Sequence, residues 1–352
     1  MTWMLYGASG YTGRLLAQEA VRRGHKPLLA GRSAEKLAPL ADELGLEYVV
    51  VGLDDAPGLE RAVSGMELVL HAAGPFVHTS LPMIQACLSA GAHYLDITGE
   101  IPALLNTLSF DEVARERGVA LISGVGFDVI PTDCLARYVA EKLPDATTLE
   151  LAFTAITSAS AGTMRSALEL AQMGGLVRRD GVLAGYLLGR GARRIRFSYG
   201  MATALPIPWG DLVTAYQTTG IPNITVYKSF PQGIARILGL AAPFAPLAGW
   251  LLSTRVIRSL ANWWIGQFFR GPDADLLAKG RSYVWARAAN DRGEEAQAWL
   301  DTVEAYWFTT LAAVRAVERV LDGSHSGALT PALAFGADFP LTVAGTQRTD
   351  IA

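Results

Sequence analysis

The sequence predicts an α/β chain: a doubly wound parallel sheet with a second α+β domain. Three observations carry that expectation. Apolar runs alternate with helical patterns from residue 3 to residue 123; the first run empties into a glycine-rich loop; and the alternation ends near residue 149. At 352 residues the chain is too long for one small core, so two domains are expected.

The first run, Trp3 to Tyr6, reads as a strand. It enters a loop carrying Gly7, Gly10 and Gly13, and Leu15, Leu16, Ala20 and Val21 then recur at helix spacing up to Gly24. Strand, glycine loop and helix form the setting in which a dinucleotide is held. Glycine lets the backbone turn tightly and approach a pyrophosphate, and the helix N-terminus offers N–H groups and a positive dipole end. The expected phosphate contacts are Gly7, Ser9, Gly10, Tyr11, Thr12 and Gly13. The spacing is G-x-x-G-x-x-G rather than G-x-G-x-x-G.

The second strand, Pro27 to Ala30, runs into Gly31, Arg32 and Ser33, with Lys36 one turn on. A site for NAD needs an acidic residue here for the ribose 2′-hydroxyl. A guanidinium instead suits a 2′-phosphate, so Arg32, Ser33 and Lys36 predict NADPH/NADP+.

The remaining units follow in order. A helix from Ala34 to Leu44 precedes a strand from Tyr48 to Val51. A helical segment from Leu59 to Val63 precedes a strand from Leu68 to Ala73, which ends in Gly74, Pro75 and Phe76. A helix from Leu81 to Ala90, a strand from His93 to Ile97, a helix from Phe110 to Arg117 and a strand from Ala120 to Ser123 complete the alternation. Repeated strand–helix units give a parallel sheet of the Rossmann type, whose ligands sit at the carboxyl ends of the strands. Ala73, Gly74, Pro75, Phe76, Gly99, Glu100, Gly126 and Phe127 are therefore expected to line the cofactor. The nucleotide domain is expected to span residues 1–147.

Residues 148–304 read as the α+β substrate and dimerisation domain. Strands are expected at Leu149 to Thr154, Arg194 to Tyr199 and Asn223 to Phe230, and a helix at Ser166 to Met173. A hairpin joins Tyr283 to Ala289 with Ala296 to Thr302 across Asn290, Asp291, Arg292 and Gly293. A last helix, Ala305 to Leu321, opens a segment, 305–352, expected to pack back on the cofactor domain.

Within the segment near residues 237–269, the run from Ile237 to Leu252 is almost wholly apolar. Trp250, Trp263, Trp264, Phe268 and Phe269 crowd it, Pro243 and Pro246 interrupt it, and Arg236, Arg255, Arg258 and Arg270 flank it. It is short for a bilayer span. Three readings stay open: a buried helical hairpin or homodimer interface, a wall for a lipid-like substrate, and a peripheral membrane contact.

A formal net charge of -3 gives no electrostatic case for nucleic acid. Two distant cysteines, Cys87 and Cys134, fit a reducing compartment, and no His/Cys cluster has metal-ligand spacing. With the glycine loop so near Met1, no leader is expected. A cytoplasmic protein, with membrane association as the variant reading, is the expectation.

Taken together, several motifs resemble the saccharopine dehydrogenase-like oxidoreductases. They are Gly7 to Gly13, Ala30-Gly31-Arg32, Ala73 to Phe76, Tyr94 to Glu100, Gly126 to Asp133, Pro208 to Asp211, Thr218 to Asn223, and Thr330-Pro331-Ala332 before Phe335-Gly336. More narrowly they resemble the branch that includes the trans-acting enoyl reductases. His71 departs from the small polar residue that the family tends to carry there. The resemblance implies an NADPH-dependent oxidoreductase delivering hydride to a C=C or C=N bond of a hydrophobic, lipid-like substrate. Two alternatives stand beside it: a saccharopine-like amino-acid or imine dehydrogenase, and a lipid- or membrane-associated binding protein that retains a nucleotide fold.

Such a reduction needs a proton donor. Tyr216, in a polar stretch, and His71 are the catalytic candidates, and no Tyr-x-x-x-Lys pair sits in the position expected of a short-chain dehydrogenase. Asp128, Trp209, Asp211, Thr219 and Asn223 are the candidate substrate contacts.

Overall fold

The computed structural model describes residues 2–155, 158–244, 252 and 254–350. The chain divides into two compact units. One holds residues 1–128 and 306–335, the other residues 129–305 and 336–352.

In the first unit, strands β1 (Trp3–Tyr6), β2 (Leu28–Gly31), β3 (Tyr48–Val50), β4 (Leu68–His71), β5 (His93–Asp96) and β6 (Ala120–Ile122) are connected through helices. These are α1 (Tyr11–Arg22), α2 (Ala34–Leu44), α3 (Ala56–Val63), α4 (Phe76–Ala90), α5 (Ile101–Leu108) and α6 (Asp111–Arg117). The sheet order is 3-2-1-4-5-6, and every pair is parallel. This is the doubly wound arrangement that the alternation predicts, with its switch point between β1 and β4. All four residues of β1 are buried, as are all four of β4, because helices cover both faces of a parallel sheet. Tyr6 pairs with Ala30 on one side and His71 on the other, which aligns the three loops that follow β1, β2 and β4.

The second unit opens with α7 (Ile130–Lys142) and β7 (Thr148–Ala155). Then follow α8 (Ala161–Gln172), the strands β8 (Gly175–Arg179), β9 (Val182–Tyr186), β10 (Arg193–Phe197) and β11 (Gly200–Pro206), α9 (Asp211–Thr219) and β12 (Asn223–Phe230). Helices α10 (Gln232–Ala241), α11 (Arg255–Phe268) and α12 (Ala274–Lys279) lead to the hairpin β13 (Arg281–Ala289) and β14 (Glu295–Val303). The mixed sheet runs β10-β11-β12-β7-β13-β14, with only β7 and β12 parallel. Along β13, Val284, Ala286 and Ala288 are fully buried, and α7 packs on β13 and β14. On the sheet, Trp285 and Trp299 cluster with Ile195, Phe197 and Tyr227.

The C-terminal segment then divides. Helix α13 (Ala305–Asp322) leads to β15 (Gly327–Leu329), which adds a seventh parallel strand beside β6, and to α14 (Pro331–Phe335). The last strand, β16 (Gln347–Asp350), instead pairs antiparallel with β14 in the second unit. The boundary also differs from the expected residue 147. Helix α7 belongs to the second unit, because Cys134, Leu135, Ala136 and Val139 are buried in a helix packed on that unit's strands and on α9. Of the apolar segment, residues 245–251 and 253 lie outside the described residues, Pro246 and Trp250 among them.

Candidate functional site

The glycine loop is shaped by close approach. Gly7 has φ +86°, and a Cβ on it would stand 2.8 Å from the backbone of Ala72 and Ala73. Only glycine lets the turn after β1 touch the turn after β4. A Cβ on Gly13 would fall 2.2 Å from the Gly7 carbonyl oxygen, so this residue lets α1 start directly beneath the loop. Gly10 is different: a Cβ there would meet only the Gly7 oxygen, at 3.3 Å. The first turn of α1 holds no acidic residue, and no side chain caps it. The helix end thus keeps its positive field for an anion, which fits a pyrophosphate. Ser9 is exposed at the tip of the loop, and Thr12 is half-buried in the first turn. The Tyr11 ring packs edge-on against Tyr306 of α13, at 5.2 Å between ring centres.

At the end of β2, Arg32 and Lys36 are exposed, and among the described residues neither side chain makes a hydrogen bond or an ion pair. Ser33 occupies the N-cap of α2, yet its hydroxyl caps nothing. Two cations and a hydroxyl therefore stand at the start of one helix with no protein partner. By contrast, the neighbouring Asp55 is engaged in capping α3 through the Gly58 N–H, at 3.0 Å. This donor set fits a 2′-phosphate and lacks the carboxylate that a 2′-hydroxyl would want.

The loops after β4, β5 and β6 are tied into one framework. Glu100 is 2% exposed and accepts from the N–H groups of Phe76 (3.0 Å) and Val77 (2.8 Å). Its carboxylate caps α4 from a distant part of the chain, satisfying two donors that the helix itself leaves open. Thr79 Oγ1 donates to the carbonyls of Ala73 (2.7 Å) and Pro75 (3.1 Å). Asp96, at the end of β5, is fully buried and accepts four bonds: from Thr98 N–H (2.9 Å), Gly124 N–H (3.0 Å), Ser123 Oγ (2.7 Å) and the Tyr94 hydroxyl (2.8 Å). Thr98 Oγ1 in turn accepts from Glu100 N–H, at 3.0 Å. Asp96, Thr98, Glu100 and Thr79 thus hold Ala73, Gly74, Pro75 and Phe76. Sequence reasoning gave no role to Asp96 or Thr79; a lone acid closing an apolar strand was the available signal.

His71 is fully buried, ringed by Tyr6, Phe76 and Tyr94. Its Nε2 lies 3.2 Å from the Ala73 carbonyl, and a carbonyl can only accept, so Nε2 carries the proton. Burial pushes its pKa down from 6.5 to about 4, with the Ala73 bond opposing. The ring is therefore a neutral strut for the 73–76 loop, not a store of protons for a substrate. Unfolded, the same histidine binds a proton below pH 6.5. Its contribution to stability is complete above that value and is lost as pH falls to about 4. The loss amounts to roughly 3 kcal/mol at about 1.36 kcal/mol per pH unit. Urea midpoints measured across that range should show it, and His71→Asn should remove it; an unchanged pH dependence in the variant would refute the assignment.

Gly99 and Gly126 bring further loops together. A Cβ on Gly99 would stand 2.9 Å from Cβ of Asp128, and one on Gly126 would stand 3.0 Å from Thr309 of α13. The Phe127 N–H donates to Thr309 Oγ1 at 2.9 Å, and the Phe127 ring meets Phe308 edge-on. Gly7, Gly74, Gly99, Glu100, Gly126 and Phe127 thus lie in the loops at the carboxyl edge of one sheet.

The second unit holds the other candidates. Thr219 Oγ1 donates to the Ala215 carbonyl (2.6 Å) and accepts from Ile221 N–H, closing the end of α9. Asn223 donates to the Thr147 carbonyl (3.0 Å) and accepts from Asp180 N–H (3.2 Å). Both side chains are engaged in local structure, which accounts for polar residues in a stretch read as a site wall. Asp211 is fully buried at the start of α9, and Trp209 packs on Phe153. Tyr216 lies under the guanidinium of Arg178, 4.0 Å from the ring centre, and its hydroxyl makes no hydrogen bond among the described residues. Arg178 is itself 6% exposed, and donates to the carbonyls of Leu212 and Gly181.

Comparison with known proteins agrees with this geometry. Residues 3–122 match the family model described as Saccharopine dehydrogenase NADP binding domain. A trans-acting enoyl reductase of Mycobacterium ulcerans is 31% identical over 159 residues, covering 43% of this chain and 38% of that protein. The human saccharopine dehydrogenase-like oxidoreductase is 30% identical over 179 residues, covering 45% and 42%. The match thus spans about two fifths of the length of these relatives. Among solved structures, the apo saccharopine dehydrogenase (L-Glu forming) of Saccharomyces cerevisiae superposes with TM-score 0.67 at 13% identity over the whole of both chains. The homospermidine synthase of Legionella pneumophila, in complex with NAD, gives 0.66 at 10% identity over 99% and 92%. At those identities the likeness shows the fold.

Proposed function

We propose that the chain, whose residues 3–122 match the saccharopine dehydrogenase NADP-binding model, is an NADPH-dependent reductase of a C=C or C=N bond in a hydrophobic substrate. The observation that carries the cofactor half is the unpartnered set Arg32, Ser33 and Lys36 at the end of β2. The glycine loop receives the pyrophosphate, and Arg32 and Lys36 hold the 2′-phosphate. NADPH, when bound, supplies the hydride. The residues of the 73–77 loop, fixed by Glu100 and Thr79, keep their backbone in one place at the carboxyl edge of the sheet, where orientation matters most.

The substrate half rests on the enoyl-reductase relatives and on charge. An acidic amino-acid substrate calls for free arginines. The cavity of the second unit that gathers Arg193, Arg194, Arg196 and Arg287, about 270 Å³ in volume, also holds Glu295. Arg287 is paired with both Glu150 and Glu295, and Arg193 with Glu150. Two of its four arginines are thus already matched by carboxylates.

Of the two proton-donor candidates, Tyr216 is the better, because the Nε2 proton of His71 is held by Ala73. Tyr216→Phe should lower kcat about 100-fold while leaving NADPH affinity unchanged, as expected for loss of a general acid. Consumption of NADPH should be followed with 2-enoyl thioesters of increasing chain length, with imines and with saccharopine. Turnover of saccharopine alone would overturn the hydrophobic-substrate reading. NADPH binding without consumption by any of these acceptors would overturn the reductase reading.

A further inference from the structure

Two helices of the second unit are built inside out. On α11 the inward positions are Arg258, Ala261, Asn262 and Ile265, and Arg258 is held by an ion pair to Glu169 of α8, at 2.5 Å. The outward positions are Leu260, Trp263, Trp264 and Phe268, at i, i+3, i+4 and i+8, with Trp263 and Phe268 each 63% exposed. On α10 the small residues Ala235 and Gly239 face inward, and Ala242 follows them. Close packing explains this: Gly189 lies so near that a Cβ on it would fall 2.5 Å from the Leu238 carbonyl. Ile234, Ile237 and Leu240 face outward, Leu240 at 80% exposure. A solvated helix shows the opposite pattern. An apolar helix face left in water marks an interaction surface.

The charge around these helices names the partner. Residues 212–272 contain no Asp or Glu, yet carry Lys228, Arg236, Arg255, Arg258 and Arg270. The chain as a whole is net acidic, at -3. Arg236 and Arg270 are exposed on the same segment as the apolar faces. Tryptophan, leucine and phenylalanine with arginine at the margins form the composition of helices that lie in the headgroup layer of an anionic bilayer. A second copy of the chain is a poorer partner. A two-fold interface would bring the exposed Arg236 and Arg270 of one copy toward those of the other. Among the described residues, no helix is long and apolar enough to cross a membrane.

We propose that α10 and α11 dock the protein on the surface of a membrane rich in anionic phospholipid. The inference is independent of the reading of the cofactor site. The test is flotation of the full chain with phosphatidylcholine vesicles, with and without phosphatidylglycerol, at low and high salt. Binding is expected on the anionic vesicles and should weaken as salt is raised. The triple variant Trp263→Ser, Trp264→Ser, Phe268→Ser alters only exposed positions, so the fold should survive, with NADPH affinity as the control. It should lose binding at least about tenfold. Arg236→Glu with Arg270→Glu should lose at least about tenfold on anionic vesicles, and little on neutral ones. Absence of vesicle binding, or equal binding by the triple variant, would overturn the proposal. So would a concentration-dependent dimer that the triple variant dissociates while vesicles go unbound, since that would assign the face to a second copy.

Discussion

Asp96→Ala is expected to destabilise the protein by about 2–6 kcal/mol, the cost of leaving two buried backbone donors without an acceptor. The carboxylate is fully buried and accepts from Thr98, Gly124, Ser123 and Tyr94. Its removal takes away the acceptor that the Thr98 and Gly124 N–H groups share. Each such orphan costs about 1–3 kcal/mol. Ser123 loses less, because its hydroxyl also bonds Thr107 at 2.7 Å. Asp96→Asn should be milder, at about 1–2 kcal/mol. One amide oxygen can still serve Thr98 and Gly124, while the amide N–H groups can donate to hydroxyls that reverse their roles. The amide also escapes the cost of burying a charge, which pushes the Asp96 pKa up despite its four donors. Urea unfolding followed by circular dichroism gives both numbers. An alanine variant within about 1 kcal/mol of the native protein would mean that the network is not what fixes the loops.

The same network shows what the sequence made legible and what it hid. The strand–loop–helix signal of Trp3 to Gly13 and the alternation through Ser123 were readable because periodicity and glycine spacing are local properties. The order of β1 to β6 followed, since parallel strands joined by helices allow few arrangements. The hairpin at Asn290 to Gly293 was readable for the same local reason. The function of Glu100 was not. Its partners are Phe76 and Val77, more than twenty positions away, and only the tertiary fold brings a carboxylate to that helix end. Thr219 and Asn223 show the converse limit: polar residues in an apolar domain suggest a site, but here they close a helix and bridge neighbouring segments. Helices α10 and α11 were legible as an apolar segment. Which face turned outward was not, because that depends on Gly189 and Glu169, elements remote in the chain. The division of the C-terminal segment between the units was hidden too, since three-residue β15 and four-residue β16 carry almost no periodicity.

Arg32→Asp is expected to reverse the cofactor preference. In the native protein the guanidinium is exposed, makes no hydrogen bond or ion pair among the described residues, and stands beside Ser33 and Lys36. A fork-shaped cation matches two oxygens of a 2′-phosphate, and a hydrogen bond to a charged group contributes about 1.5–3 kcal/mol. Alanine at this position should therefore raise the Kd for NADPH about 100-fold and leave that for NADH nearly unchanged. Aspartate adds two further effects. It repels the phosphate, and it offers the ribose 2′-hydroxyl an acceptor that the native site lacks. The ratio of NADPH to NADH affinity should then swing by about 1,000-fold, or about 4 kcal/mol. Lys36 and Ser33 keep the loss finite, because they remain in place to meet the phosphate. Calorimetric titration of native protein, Arg32→Ala and Arg32→Asp with both nucleotides measures each step. If all three bind NADPH equally well, recognition of the 2′-phosphate belongs to Lys36 and Ser33, and Lys36→Ala should then produce the loss that Arg32 does not.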